Sequence, residues 1–226
     1  MPNDRRYVNV DTTTIGGISK AKSLGLAPSQ LADIVFSGYI HEGASMFNSQ
    51  YRGVMFAIFR HPIRRAVSIF YYLQIADWEP TYDPSLKHMT LAQYARSARI
   101  EDNWMTRMLL NKMSGRLVSQ DLYIAMEILK RKFIVGLETD MEESMKRFEF
   151  YFGWSSPLSN AQECKAKYLL NSSGSNKNNH PAIVPGSQEW NLVADRNRFD
   201  IELYGLAKDL FFGSQAKMFN ELQQQR

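Results

Sequence analysis

Hydrophobic and polar positions divide this chain into short runs whose period changes repeatedly. Val54 to Phe59 is unbroken apolar sequence, the pattern of a strand covered on both faces. Arg60 and His61 follow, and then Pro62, which disfavours helical backbone at His61 and suits the first position of a helix. Beyond it Ile63, Ala66, Val67, Phe70 and Tyr71 fall on one helical stripe. A second apolar run, Phe133 to Leu137, comes after a long amphipathic segment that begins at Ser119 or Asp121 and carries Leu122, Ala125, Met126 and Leu129. Glu142 to Phe152 reads as helix again, with Gly153-Trp154 ending it.

The remaining elements are shorter. Tyr7 to Val10 reads as a short strand. Asp11 or Thr12 can cap a helix through Ile15, Ile18, Ala21 and Leu24, with Gly25 as its stop. Pro28 to Asp33 suggests a small helix leading into a strand at Ile34–Phe36, and Ser37 to Gly43 is polar. Asp77 to His88 is a loop rich in Pro and aromatics. Thr90 caps a helix through Leu91, Tyr94 and Ala95, and Asp102-Asn103 opens another with Trp104, Met105, Met108 and Leu109. Asn171 to His180 is polar and aperiodic, the pattern of a surface loop. Val193 to Phe212 reads as one helix, and residues 213–226 as a polar tail that frays. Strands alternating with helices predict an α/β domain over residues 1–212, in three layers with a parallel central sheet between helices.

Composition adds limits. A chain of 226 residues is most naturally one domain with a good core. Its net charge of +4 suits an anionic ligand, but no Lys/Arg block is dense enough to argue for nucleic acid. The single cysteine, Cys164, excludes an internal disulfide and a cysteine-based metal site, and no cluster has metal-ligand spacing. No stretch reaches the roughly 18–20 apolar residues of a membrane span. Asn171-Ser172-Ser173 is a glycosylation sequon, compatible with a secretory lumen.

The candidate chemistry gathers after the first apolar run. Arg60 stands at the carboxyl end of its strand, where open α/β sheets bind ligands. Ser68 follows two turns into the helix, with Arg64 and Arg65 close by. Arginine forks and a hydroxyl beside a helix start suit a phosphate.

Arg60-x-Pro62-x-x-Arg65-x-x-Ser68, followed by Phe70-Tyr71-Tyr72, resembles the 3'-phosphate-binding motif of the sulfotransferases, nearest the carbohydrate (heparan-type) branch. Three further strings resemble that family in the same order: Asn103-x-x-x-Arg107-x-Leu109, Lys132 to Thr139 with Glu143-Ser144, and Asp200-x-x-Leu203-Tyr204. The resemblance spans about Val8 to Phe212. It implies a P-loop-NTPase-like fold and transfer of a sulfuryl group from 3'-phosphoadenosine 5'-phosphosulfate to a hydroxyl, most naturally of a glycan. It implies no metal. Arg60 and Ser68, with Arg65, would hold the 3'-phosphate; Ser175, Asn176 and Lys177 would belong to a loop over the nucleotide. His41 would be the catalytic base, with Glu42 as the alternative. It implies a Golgi lumen if a membrane anchor precedes the chain, and otherwise the cytoplasm.

One family feature is missing from the pattern. Asp11-Thr-Thr-Thr-Ile-Gly-Gly-Ile-Ser-Lys20 is not the expected phosphosulfate loop, because an Asp would repel the anion and the glycines fall inside a helical pattern. The expectation is therefore a domain lacking its first strand and that loop. This keeps a second possibility open, a catalytically inactive nucleotide-binding or interaction module. A kinase reading finds no Gly-x-x-x-x-Gly-Lys-Ser/Thr string.

Overall fold

The computed structural model describes residues 8–154, 161–170 and 180–225. The chain opens with α1 (Ile15–Ser23) and α2 (Leu26–Ser29); α3 (Ile40–Ala44) then leads into β1 (Met55–Phe59) and α4 (Pro62–Tyr72). The crossover carries α5 (Leu91–Arg96), α6 (Trp104–Leu110) and α7 (Ser119–Lys132), and delivers β2 (Phe133–Leu137). After it come α8 (Met141–Phe152) and α9 (Ala161–Lys165). The chain closes with α10 (Gln188–Arg196), α11 (Arg198–Asp209) and α12 (Gln215–Gln224). The architecture is α/β and mostly helical. Among the described residues the sheet has two parallel strands, with Met55 opposite Phe133 and Phe59 opposite Leu137.

β2 owes its position to burial on two sides; β1 is only partly buried, with Ile58 41% exposed, so among the described residues the first apolar run is not covered on both faces as its pattern predicts. Phe59, Val135 and Leu137 enter a core with Leu109, Leu129, Leu203 and Phe211. Ile134 and Phe56 turn to another, with Phe148 and Phe219. All five residues of β2 are buried. The outer edge of β2 is closed by side chains: the Val135 N–H donates to Gln215 Oε1 at 2.9 Å, Gln215 Nε2 donates to the Phe133 carbonyl at 2.8 Å, and the Leu137 N–H donates to Ser144 Oγ at 2.9 Å. A strand edge without a neighbour leaves polar backbone unsatisfied, and here Gln215 and Ser144 stand in for that neighbour. Gly136 lets α8 close on β2, since a Cβ there would lie 2.8 Å from the Phe148 ring and 3.0 Å from Ser144 Cβ.

The helix starts follow their local chemistry. Thr90 and Gln93 form a capping box for α5. His61 is extended and Pro62 opens α4, whose stripe of Ile63, Val67 and Phe70 packs with Tyr94 and Val193. Gly153 ends α8 in the left-handed region at φ +67°.

Several expectations are corrected. Thr14, not Asp11 or Thr12, caps α1, accepting from the Gly17 N–H. The short helix before residue 34 is Leu26–Ser29, and starts ahead of Pro28. Neither residues 8–10 nor Ile34–Phe36 form a strand: the Phe36 carbonyl takes the Thr12 hydroxyl at 2.7 Å, and among the described residues no strand pairs with the segment. The polar segment Ser37–Gly43 enters α3 instead. The single helix expected over 193–212 is two, broken at Asn197, followed by a π-helical turn at Leu210–Ser214. The tail is helical, because Phe219 and Gln215 are both buried against the domain. No helix among the described residues is long and apolar enough to cross a membrane.

Candidate functional site

The turn between β1 and α4 presents the predicted phosphate residues. Arg60 is half-buried, and its Nε lies 3.4 Å from Glu138 Oε1 without the alignment of a hydrogen bond, so that buried N–H has no hydrogen-bond partner. Ser68 is half-buried on α4, two turns further on. Arg64 is exposed. Arg65 is held otherwise: its Nη2 pairs with Glu101 Oε2 at 2.8 Å and its guanidinium lies 3.9 Å above the Trp104 ring, with 19% of the side chain exposed. Its charge is shared with a carboxylate and an aromatic face. Ser175, Asn176 and Lys177 lie outside the described residues.

Sequence reasoning passed over the residues that flank this turn. The His61 ring sits between Trp190 and Tyr204, 5.3 and 5.4 Å away, and its Nδ1 is buried without a hydrogen bond. Burial, and then the charges of Arg64 and Lys208, push the imidazole below its ordinary pKa. Lys208 Nζ stands 5.6 Å from the Tyr204 ring, so α11 adds a cation to the same corner. His180 stacks on Tyr71 at 5.1 Å and 5°. The signal available in the sequence was His61 itself, inside the motif.

His41 and Glu42 occupy α3, on another side of α6. His41 Nε2 lies 3.0 Å from the Leu109 carbonyl. A carbonyl only accepts, so Nε2 carries the hydrogen and Nδ1 is left as the basic nitrogen. Glu42 is half-buried and has no ion-pair partner among the described residues. Both residues line a cavity of about 360 Å³ together with Tyr39, Met108, Asn111 and Met113. Helix α6 links the two places. Trp104 at its start carries Arg65, and Leu109 near its end carries His41, a span of roughly 8 Å at ~1.5 Å per residue. Ile40 and Phe59, neighbours of His41 and Arg60, pack against the same core.

Arg107, from the Asn103-to-Leu109 string, is structural. It is 8% exposed, donates to Asp102 Oδ2 at 2.7 Å, and also serves the carbonyls of Asp102, Lys112 and Gly115. The aromatic loop after α4 is tied down by the Tyr72 hydroxyl, which donates to Glu79 and accepts from the Trp78 indole. The Asp11–Thr14 turn is unsuited to an anion. The Asp11 carboxylate takes the Thr13 N–H and hydroxyl at 2.9 and 2.5 Å, which hold its pKa below the usual range and keep it charged. Among the described residues no group of three His, Cys, Asp or Glu could hold a metal ion.

No protein-family model, curated protein or solved structure matches this chain.

Proposed function

We propose that this chain is a sulfotransferase-type domain that binds the 3'-phosphate of 3'-phosphoadenosine 5'-phosphosulfate and delivers its sulfuryl group to an acceptor hydroxyl. Arg60 and Ser68 hold the phosphate in this reading, and Arg64 and Lys208 add positive charge around it. The three-layer parallel-sheet architecture, the nucleotide donor and the lumenal setting belong to the same proposal. The observation that carries it is the β1–Arg60–His61–Pro62–α4 turn: a strand end, an extended residue, proline at the first helical position and a guanidinium N–H without a hydrogen bond. This is the geometry in which a helix start and an arginine receive an anion. Chemistry would need a base for the acceptor proton and cations for the leaving phosphate. His41, whose Nδ1 is left basic by the Leu109 contact, lines the cavity together with the Glu42 carboxylate.

A second reading is favoured by a separate observation, the charged Asp11 turn at the start of α1. It offers no cradle to a phosphosulfate, so the chain would bind the nucleotide without transferring the sulfuryl group. Incubation with ³⁵S-labelled donor and a panel of hydroxyl acceptors separates the two. Transfer that is lost in both Arg60→Ala and His41→Ala supports the enzyme. Nucleotide binding without transfer in the wild type supports the binding module, and absence of both removes the proposal.

A further inference from the structure

His61 stands inside the Arg60 corner, and the charged groups around it are mostly of one sign. Its ring lies against Trp190 of α10 and Tyr204 of α11, at 5.3 and 5.4 Å. Its Nδ1 is buried without a hydrogen-bond partner, and so is Nε of Arg60 beside it in the chain. Two adjacent residues thus hold buried nitrogens that nothing among the described residues satisfies, which costs free energy. α4 brings Arg64 to the ring and α11 brings Lys208, both exposed. β1 leads into Arg60, whose near carboxylate is Glu138 at 3.4 Å. On α10 the residues one turn from Trp190 are Ser187, Val193 and Ala194, all uncharged. On α11 the residue one turn before Tyr204 is Asp200, and its carboxylate is taken by the N–H groups of Met105 and Thr106. Among the described residues no carboxylate pairs with the imidazole.

We infer that His61 is a proton-coupled contact of the anion site: neutral in the free chain, it takes up one proton when a tetrahedral dianion binds beside Arg60, and the anion binds more tightly as pH falls. This rests on the proposed phosphate site and adds to it a residue that responds to the ligand's charge. In the free chain burial, and then the charges of Arg64 and Lys208, hold the imidazole below its ordinary value. A bound dianion reverses that balance. It offsets the two cations and accepts from the N–H groups that an imidazolium presents. The rings of Trp190 and Tyr204 then lie within cation–π range of a positive partner. Linkage fixes the sign. The gain in affinity is fully present below the imidazole's value in the free chain, and is lost as pH rises through its value in the complex. A His61 that only fills the space between two rings would give neither the proton uptake nor the pH-dependent affinity.

The experiment follows the His61 ring of the full chain by NMR from about pH 5 to 8, with and without inorganic sulfate, a tetrahedral dianion whose charge is constant over that range. Single substitutions of His41, His88 and His180 assign the signal by elimination, so the reading on His61 itself needs no variant of that residue. Sulfate should raise the His61 midpoint by about one pH unit, and its binding should tighten about tenfold from the alkaline to the acid end. His61→Gln should bind sulfate without that tightening. A midpoint that sulfate leaves unmoved, or the same tightening in His61→Gln, overturns the inference. Addition of 3',5'-diphosphoadenosine to the same sample keeps the two failures apart. Binding that is lost in Arg60→Ala leaves the phosphate reading standing without the proton, and absence of binding removes both.

Discussion

Asn103 and Asp200 cap each other's helices. The Asp200 carboxylate accepts the N–H groups of Met105 and Thr106 at 2.8 Å, and the Thr106 hydroxyl at 2.7 Å, at the start of α6. Asn103 Oδ1 accepts the N–H groups of Phe199 and Asp200 at 2.8 and 3.3 Å, at the start of α11. Neither helix is capped by the residue before it, and Asn103 is free for this work because it sits in the left-handed region at φ 47°. The exchange locks together two helices almost a hundred residues apart in sequence. Asp200→Ala leaves three buried donors without an acceptor and should cost about 3 kcal/mol. Asn103→Ala should cost about 2 kcal/mol. Urea unfolding of both and of the double variant measures them, and the double loss should fall short of the sum.

The same carboxylate carries a pH signature. Burial outweighs its hydrogen bonds and raises its pKa, so the folded chain holds that proton more tightly than the unfolded one. The contribution is fully present below the ordinary value of 3.8 and is lost as pH rises through the folded value. Asp200→Asn cannot titrate. The stability advantage of the wild type over Asp200→Asn should therefore be greatest at the acid end and shrink as pH increases. An advantage that grows with pH through this window would contradict the burial argument.

Gln215 replaces a strand at the edge of β2, and losing it should show. Gln215→Leu keeps most of the buried volume but strands the Val135 N–H and the Phe133 carbonyl, at a cost of about 2–3 kcal/mol by chemical denaturation. Removing residues 213–226 deletes Phe219 from its core as well and should cost more than the point change.

Gly136→Ala tests the closeness of α8 to the sheet. The added methyl meets the Phe148 ring and Ser144, and should cost about 1–3 kcal/mol. Phe148→Leu in the same background should recover part of that loss, because the nearest contact is the far end of the ring.

Strong local signals made much of this molecule legible from its sequence. The Val54–Phe59 run, Pro62, the Thr90 box and the amphipathic approach to Phe133 all gave elements where they were expected, since period and capping decide them locally. Ile34–Phe36 misled because a three-residue apolar run lacks a partner strand among the described residues, and no local pattern reports a missing partner. The single helix expected over 193–212 was misjudged at Asn197, whose side chain serves Asn103 across the fold. Gln215 and Phe219 looked like parts of a polar tail because their burial is purely tertiary. At the site, Arg60 and Ser68 stood in a recognisable pattern, whereas Lys208 and Trp190 reach it from helices whose placement only the fold reveals. Arg107 shows the converse: it too stood in a family-like string, and its guanidinium is spent on Asp102 and three carbonyls.

The most direct test of the nucleotide site is the thermal midpoint of the full chain titrated with 3',5'-diphosphoadenosine, for the wild type and Arg60→Ala. A ligand that binds only the folded state at about a hundred times its Kd adds about 2.7 kcal/mol. For a domain of this size that raises the midpoint by roughly 5–10 °C. The account predicts that rise in the wild type and its loss in Arg60→Ala. An unmoved wild-type midpoint at millimolar nucleotide, or an equal rise in both proteins, would contradict it.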